Sequence, residues 1–500
     1  MNLHDLFSIP LRRSPGKTAL RFEGRSLTYA ELFGAADRLA AGLRDRGLRP
    51  GDRVAFFLGN LGKGPEFVIA YLAVIRLGAV MVPLNLAYRR REIAHILADA
   101  EPRLFLTDRD RLPVLEELEP DERPGEVILA EDLDGLSGDP GGFARIDNDD
   151  LAMILYTSGT TGRSKGAMIT HGNVLATMTG LLAAWAWEAE DVLLLTLPLF
   201  HTHGLVVGLH CALAAGATVL LHRKFDASET AAGLLGGEPT LFFGVPTMYV
   251  RLVEELRRRG DAEALRRMRL FCSGSAPLAP ETFEAFRELT GHEILERYGM
   301  TETGMSLSNA YAGLRIPGTV GTPLPGVSAR IVDAEGIGCQ DLPAGGEGEL
   351  LVRGSHVFPG YWRDPGKTAA SFVHDDLGRR WFRTGDLARR DPETGHYTLL
   401  GRRHELILRG GFNIYPREVE EVLTSYPGVR EAAVVGRPDS DLGQIPVAFL
   451  VVESPESPLN EAALLAFCRD QMAAFKVPRE VRIVESLPRN ALGKVQKHLL

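Results

Sequence analysis

Short apolar runs alternate with helix-length amphipathic segments from the start of the chain to about residue 332, and no other feature restricts the fold so strongly. RVAFFL at 53–58 and AVMVPL at 79–84 read as strands buried on both faces. A helical run over 27–43 precedes the first, a Pro50-Gly51-Asp52 turn leads into it, and a second helix over 67–77 separates the two. A second series carries strands near 153–156, 192–196, 218–221, 240–243 and 270–273. Parallel strands need crossover connections, so this alternation predicts packed α/β subdomains with largely parallel sheets.

The pattern changes after about residue 345. Short strands between turns at 348–354 and 396–402 give way to Gly410-Gly411, a helix from about 416, and then strand, strand, helix and strand as far as 484. The expected architecture is a large N-terminal α/β domain, 1–402, of packed subdomains, followed by a smaller mobile α+β C-terminal domain, 403–500. The stretch 193–221 has no Asp, Glu, Lys or Arg and is long enough to span a bilayer. Pro198, His201, His203, His210, Gly204, Gly208 and Gly216 interrupt it, and it reads as a buried helix running into a buried strand.

Charge narrows the partners. With 56 Lys plus Arg against 65 Asp plus Glu, the net charge of −9 speaks against broad capture of nucleic acid or anionic membrane, so anionic ligands need local sites. The four cysteines, Cys211, Cys272, Cys339 and Cys468, are far apart and form no CxxC pair. Together with a start lacking a signal-peptide core, they predict a cytoplasmic protein with reduced thiols. Monomer and homodimer both stay open.

The most informative segment is YTSGTTGRSKG at 156–166, directly after a strand. Its glycines let successive N–H groups converge, its hydroxyls add donors, and Lys165, in a chain with few lysines, supplies a point charge suited to a polyphosphate. The spacing is not that of a Walker A loop. Six further segments follow in order: PLFHTHG at 198–204, SGSAP at 273–277, YGMTE at 298–302, TGD at 384–386 with GR at 401–402, GGFN at 410–413, and PRNALGK at 488–494.

Taken together these segments resemble the adenylate-forming superfamily of acyl-CoA synthetases, nonribosomal-peptide adenylation domains and luciferases, over nearly the whole chain. The resemblance implies ATP, Mg²⁺ and coenzyme A as reactants. Thr157, Ser158, Gly159, Thr160, Thr161, Gly162 and Lys165 would handle phosphates. Thr301 would bond a phosphate, and Glu302 with Thr157 would hold Mg²⁺. Ser275, Ala276, Pro277, Tyr298 and Gly299 would wall the adenine. Asp386 and Arg402 would take the ribose, and Lys494 would serve adenylation. The turn at Gly410-Gly411 would replace the Lys494 loop for thiolysis, with His404 at the pivot where the family has Asp or Lys. His201 would gate the path from acyl site to CoA channel. His203 reads as structural, because an i, i+2 histidine pair makes a poor metal site. Taken alone, Thr301-Glu302 could open an ordinary helix.

The acid is read from two arginines. Arg297 precedes Tyr298, and Arg251 follows GVPTMY at the start of a helix whose apolar face is Met248, Leu252, Val253 and Leu256. An Arg in a closed pocket is costly without an anion, so two converging arginines predict a second carboxylate on the substrate. The phrases around them look closest to malonyl-CoA synthetases, in which arginines at these positions bind the free carboxylate of malonate. Methylmalonate, a short or medium-chain fatty acid and an aryl acid remain alternatives, as does a non-catalytic acyl-adenylate-binding protein.

Overall fold

A computed structural model of the chain describes residues 2–157, 164–260, 262–333, 339–409, 412–439, 442–453, 459–489 and 494–500. Two compact units emerge: Met1–Ser328 with Val352–Phe372, and Ala329–Leu351 with Val373–Leu500.

In the first unit, Tyr29–Asp45 shows how local chemistry sets an element. The Thr28 hydroxyl accepts from the Glu31 N–H while the Glu31 carboxylate accepts from the Thr28 N–H, a reciprocal cap that contributes about 1 kcal/mol. Leu32, Phe33, Ala36, Leu39, Ala40 and Leu43 lie buried along its inner face. One sheet runs Val127–Leu129, Leu104–Thr107, Arg53–Phe57, Val80–Pro83, Leu151–Thr157, Lys165–Thr170, parallel except for its last pair. The other runs Thr322–Pro323, Gly304–Ser308, Leu295–Met300, Leu270–Ser273, Leu241–Gly244, Val192–Leu195, Thr218–Leu221, Thr18–Phe22, Arg25–Thr28. Its central run, from Leu295–Met300 to Thr18–Phe22, is parallel.

The two alternating series do not close separately. Thr18–Phe22 leaves the first series to pair with Thr218–Leu221, with Leu20 opposite Val219, while Leu151–Thr157 joins the first sheet beside Val80–Pro83. Ala19 and Leu20 are fully buried in that exchange. The uncharged stretch at 193–221 becomes the strand Val192–Leu195, a π-helical turn His203–His210, the short helix Cys211–Ala215 and the strand Thr218–Leu221. No described helix is long and apolar enough to cross a membrane.

The second unit holds two five-stranded sheets. Ser328–Val332, Glu347–Arg353, Arg380–Arg390 and Phe372–His374 form the first in that order, with Tyr397–Arg402 also on Arg380–Arg390. Phe412–Ile414, Ile407–Arg409, Gly443–Val452 and Val429–Asp439 form the second, with Glu480–Ile483 parallel to Gly443–Val452. The compact units therefore part at 328–329, 351–352 and 372–373, and residues on both sides of 402 lie in the second unit. Physical ties across 402 explain this: Glu349 binds both Arg383 and Arg403, and Arg417 Nη1 donates to the Leu399 carbonyl at 2.7 Å.

Buried histidines give the first unit an acid limit. His210 stacks on Tyr71 with ring centroids 5.2 Å apart and meets Phe7 edge-on, and both of its ring nitrogens are buried without a partner. Burial pushes its pKa down to about 3, and those of His171 and His356 down to about 4. The unfolded chain binds protons at these positions from about pH 6.5 downward, whereas the folded chain resists until near 4. Stability therefore falls with falling pH, by about 1.4 kcal/mol per pH unit for each group. Denaturant titrations between pH 6.5 and 4.5 are expected to show this decline, with a shallower slope in His210→Phe. A flat profile over that range would contradict it.

Candidate active site

In an open α/β sheet the crevice for ligands lies beyond the carboxyl ends of the parallel strands. At that edge of the larger sheet, Leu270–Ser273 runs into Gly274 and Ser275, and Leu295–Met300 carries Arg297. Arg297 is only 4% exposed. Its guanidinium lies over Gly274, so that a Cβ on Gly274 would sit 2.4 Å from Arg297 Cζ. Glycine is needed there for close approach. Ser275 beside it holds a left-handed φ of 72°, strain of a kind that clusters at functional sites.

The Arg297 guanidinium is short of partners. Nε and Nη2 are buried without a hydrogen bond, the Cys272 thiol lies alongside, and no ion pair with a carboxylate forms among the described residues. Burial lowers its pKa from the ordinary arginine value. Three more buried side chains have unused hydrogen-bonding atoms: Thr196 Oγ1 just past Val192–Leu195, Ser273 Oγ, and His203 Nε2. The other ring nitrogen of His203 lies 3.3 Å from Ser275 Oγ. Burial, then the nearby charges of Arg297 and His201, hold His203 well below the usual histidine pKa, so it is neutral. Buried polar groups are nearly always satisfied, so these unused atoms are candidates to meet a polar ligand. His201 is half-buried with its ring against Phe200, centroids 4.5 Å apart.

Arg251 differs in exposure. It is exposed on Pro246–Arg259, whose buried face is Tyr249, Leu252, Val253 and Leu256, and so does not share Arg297's buried setting. Met248, expected on the apolar face, is half-buried.

The phosphate-loop residues lie partly outside the described structure. Ser158, Gly159, Thr160, Thr161 and Gly162 are not described, but Thr157 and Lys165 are, and they pair across an antiparallel hairpin formed by Leu151–Thr157 and Lys165–Thr170. That hairpin is braced from both sides. Tyr156 donates to Asp99 at 2.5 Å, and the Ser164 carbonyl lies 2.9 Å from His95 Nε2. Met168 N donates to Gly360 O at 3.0 Å and Trp362 N to Gly166 O at 2.7 Å. Between those two contacts Tyr361 donates its hydroxyl to Glu302 Oε1 at 3.0 Å, and just before them Phe358 N donates to Glu302 O at 2.8 Å. One segment thus connects the hairpin to the buried Glu302 carboxylate.

Thr301 and Glu302 occupy a tight turn between antiparallel strands, Met300 opposite Gly304, and do not start a helix. Gly299 permits it: a Cβ there would lie 2.0 Å from Gly304 O. Thr301 is half-buried, and Tyr298 is buried with its hydroxyl 3.7 Å from Met300 Sδ. Ser275 is half-buried, Ala276 and Pro277 exposed. Tyr361 is a residue that the motif reading passed over, and FPGYW at 358–362 is the signal that carried it.

In the second unit Asp386 and Arg402 face each other across paired strands, with Arg402 Nε 2.9 Å from Asp386 Oδ1. Thr384 Oγ1 accepts from Asp386 N at 3.0 Å and donates to Leu350 O at 2.7 Å, fixing the turn. Gly410 and Gly411 lie outside the described residues. Lys494 is exposed at the base of a loop closed by pairing of Arg489 with Val495 and by Gln496 N donating to Pro488 O at 2.8 Å. Three residues on, Lys497 bridges Glu420 at 2.7 Å and Glu405 at 3.1 Å, beside the exposed His404.

The AMP-binding enzyme family profile matches residues 7–362, and that of the AMP-binding enzyme C-terminal domain matches 418–494. The chain is 37% identical over 510 residues to the mitochondrial malonate–CoA ligase ACSF3 of Mus musculus, covering 94% of this chain and 85% of that protein. It is 36% identical to a feruloyl-CoA synthase of Amycolatopsis sp, covering 99% and 98%. The crystal structure of ATP-bound MatB from Rhodopseudomonas palustris superposes with a TM-score of 0.92 at 40% identity, covering 100% of this chain and 98% of that one.

Proposed function

This chain belongs to the AMP-binding enzyme family, as an AMP-forming acyl-CoA synthetase that uses ATP, Mg²⁺ and coenzyme A, and from that premise we propose that its acid is malonate. The observation that carries the reading is Arg297, a buried guanidinium with two unused nitrogens. A buried cation without an anion costs several kcal/mol, and a substrate bearing a second carboxylate repays it with charge-assisted hydrogen bonds. A fatty acid or ferulate offers no such anion at its far end. The malonate–CoA ligase and MatB relatives support this choice, while the feruloyl-CoA synthase at nearly equal identity makes the pocket, not the fold, the deciding feature.

In the first step a carboxylate oxygen of the acid attacks the α-phosphorus of ATP, forming the acyl-adenylate as pyrophosphate leaves. In the second, the CoA sulfur attacks the acyl carbonyl carbon, a thioester forms, and AMP leaves with the carbonyl–oxygen bond broken. Arg297 holds the distal carboxylate through both steps and so orients the other carboxylate for reaction. The hydroxyls and N–H groups of Thr157 to Gly162 and the Lys165 ammonium meet the phosphates, and Thr301 adds a donor. The hard oxygens of Glu302 and Thr157 suit Mg²⁺, which when bound offsets phosphate charge. Tyr361 steadies the Glu302 carboxylate. Tyr298, Gly299 and 275–277 take the adenine, Asp386 with Arg402 the ribose, and His201 the passage for the thiol. Residues 403–500 carry Lys494 for the first step and the Gly410-Gly411 turn for the second. The four cysteines are free thiols, which fits a reducing compartment such as the cytoplasm.

The test is acid-dependent AMP formation in the presence of CoA with malonate, methylmalonate, acetate, octanoate, benzoate and ferulate. The highest kcat/KM is expected for malonate; a preference for octanoate or ferulate would overturn the assignment.

A further inference from the structure

We propose that His203 is a second, uncharged anchor for the substrate's distal carboxylate, donating from Nε2 beside Arg297; this rests on the dicarboxylate reading above. Motif spacing alone gives His203 a structural role; its surroundings give it another. Both residues border the same turn: Arg297 Cζ lies against Gly274, and His203 Nδ1 is 3.3 Å from the hydroxyl of Ser275. In the proposed tautomer the Ser275 hydroxyl donates to Nδ1 and the ring proton sits on Nε2, ready to donate to the carboxylate. His203 is 6% exposed, and Nε2 has no partner. The charge that acts on it most strongly is the guanidinium whose Nε and Nη2 are likewise unpartnered. A carboxylate accepts about four hydrogen bonds, more than one guanidinium edge supplies. An imidazole donor completes the set without placing a second positive charge beside a buried arginine. Burial and that same guanidinium keep the ring neutral, in accord with this role.

Asparagine and glutamine separate the two roles of the ring. The asparagine amide falls near Nδ1 and can keep the Ser275 contact while losing the reach of Nε2; the glutamine amide reaches the Nε2 position and gives up the Ser275 contact. In the full-length enzyme, His203→Asn is expected to raise the KM for malonate at least tenfold with little change in kcat. His203→Gln is expected to stay within about threefold of the wild type. The KM for ATP should hold in both. A malonate KM that tolerates Asn and rises with Gln, or that ignores both, overturns the role of His203. If the Asn protein does not fold, the Gln protein decides alone, a tenfold rise in malonate KM overturning the proposal. Wild-type preference for octanoate would instead defeat the malonate reading itself, so the two failures are distinct.

Discussion

Lys494→Ala is expected to slow malonate-dependent adenylation by roughly 10²–10³-fold, while thiolysis of supplied malonyl-adenylate by CoA stays within about threefold of wild type. The size follows from removing one fixed cation from a transition state in which negative charge gathers on phosphate oxygens. The asymmetry follows from chemistry: pyrophosphate departure builds charge at the α-phosphate, whereas thiolysis begins from an adenylate already formed. The loop that bears Lys494 is closed by the Arg489 and Val495 pairing and by Gln496 N on Pro488 O. The alanine protein should therefore melt within a few degrees of the parent. Pyrophosphate release and single-turnover thiolysis measure the two steps separately, and equal losses in both would remove Lys494 from its assigned place.

Arg297→Leu is expected to lower kcat/KM for malonate by roughly 10²–10³-fold, corresponding to about 3–4 kcal/mol for breaking a buried charge pair. ATP binding should survive, because no adenine or phosphate group is assigned to this side chain. Stability should hold or rise. In the ligand-free protein Arg297 is a buried cation whose Nε and Nη2 have no partner, and leucine fills a similar volume without that cost. Loss of activity with a level or higher melting temperature is a combination that a structural arginine does not produce. An unchanged malonate rate would refute the assignment.

Local chemistry was easiest to read from the chain. The helical run over 27–43 corresponds to Tyr29–Asp45, and the apolar runs at 53–58 and 79–84 correspond to Arg53–Phe57 and Val80–Pro83. Features that depend on distant residues were not legible. The turn holding Thr301 and Glu302 rests on the bare approach of Gly299 to Gly304 O, and Tyr361 meets Glu302 across 59 positions of sequence. Arg297 could be named as a candidate, but its isolation could not, since burial is a property of every neighbour at once. Arg251 shares its residue type and stands exposed. The glycines and hydroxyls of 158–162 and the pair 410–411 were picked out by composition, and their placement lies outside the described residues.

The pairing of Thr18–Phe22 with Thr218–Leu221 also bears on how the chain is made. A strand that leaves the ribosome near the beginning has to wait until about two hundred further residues have emerged before Val219 can stand opposite Leu20. During that interval Ala19 and Leu20, fully buried in the finished protein, have no place in a sheet. An N-terminal fragment stopping near residue 150 should aggregate when expressed alone, because it carries unpaired strand edges and lacks the partners for both. Nascent chains held at successive lengths should lose sensitivity to protease within the first fifty residues only after 218–221 is free of the exit tunnel.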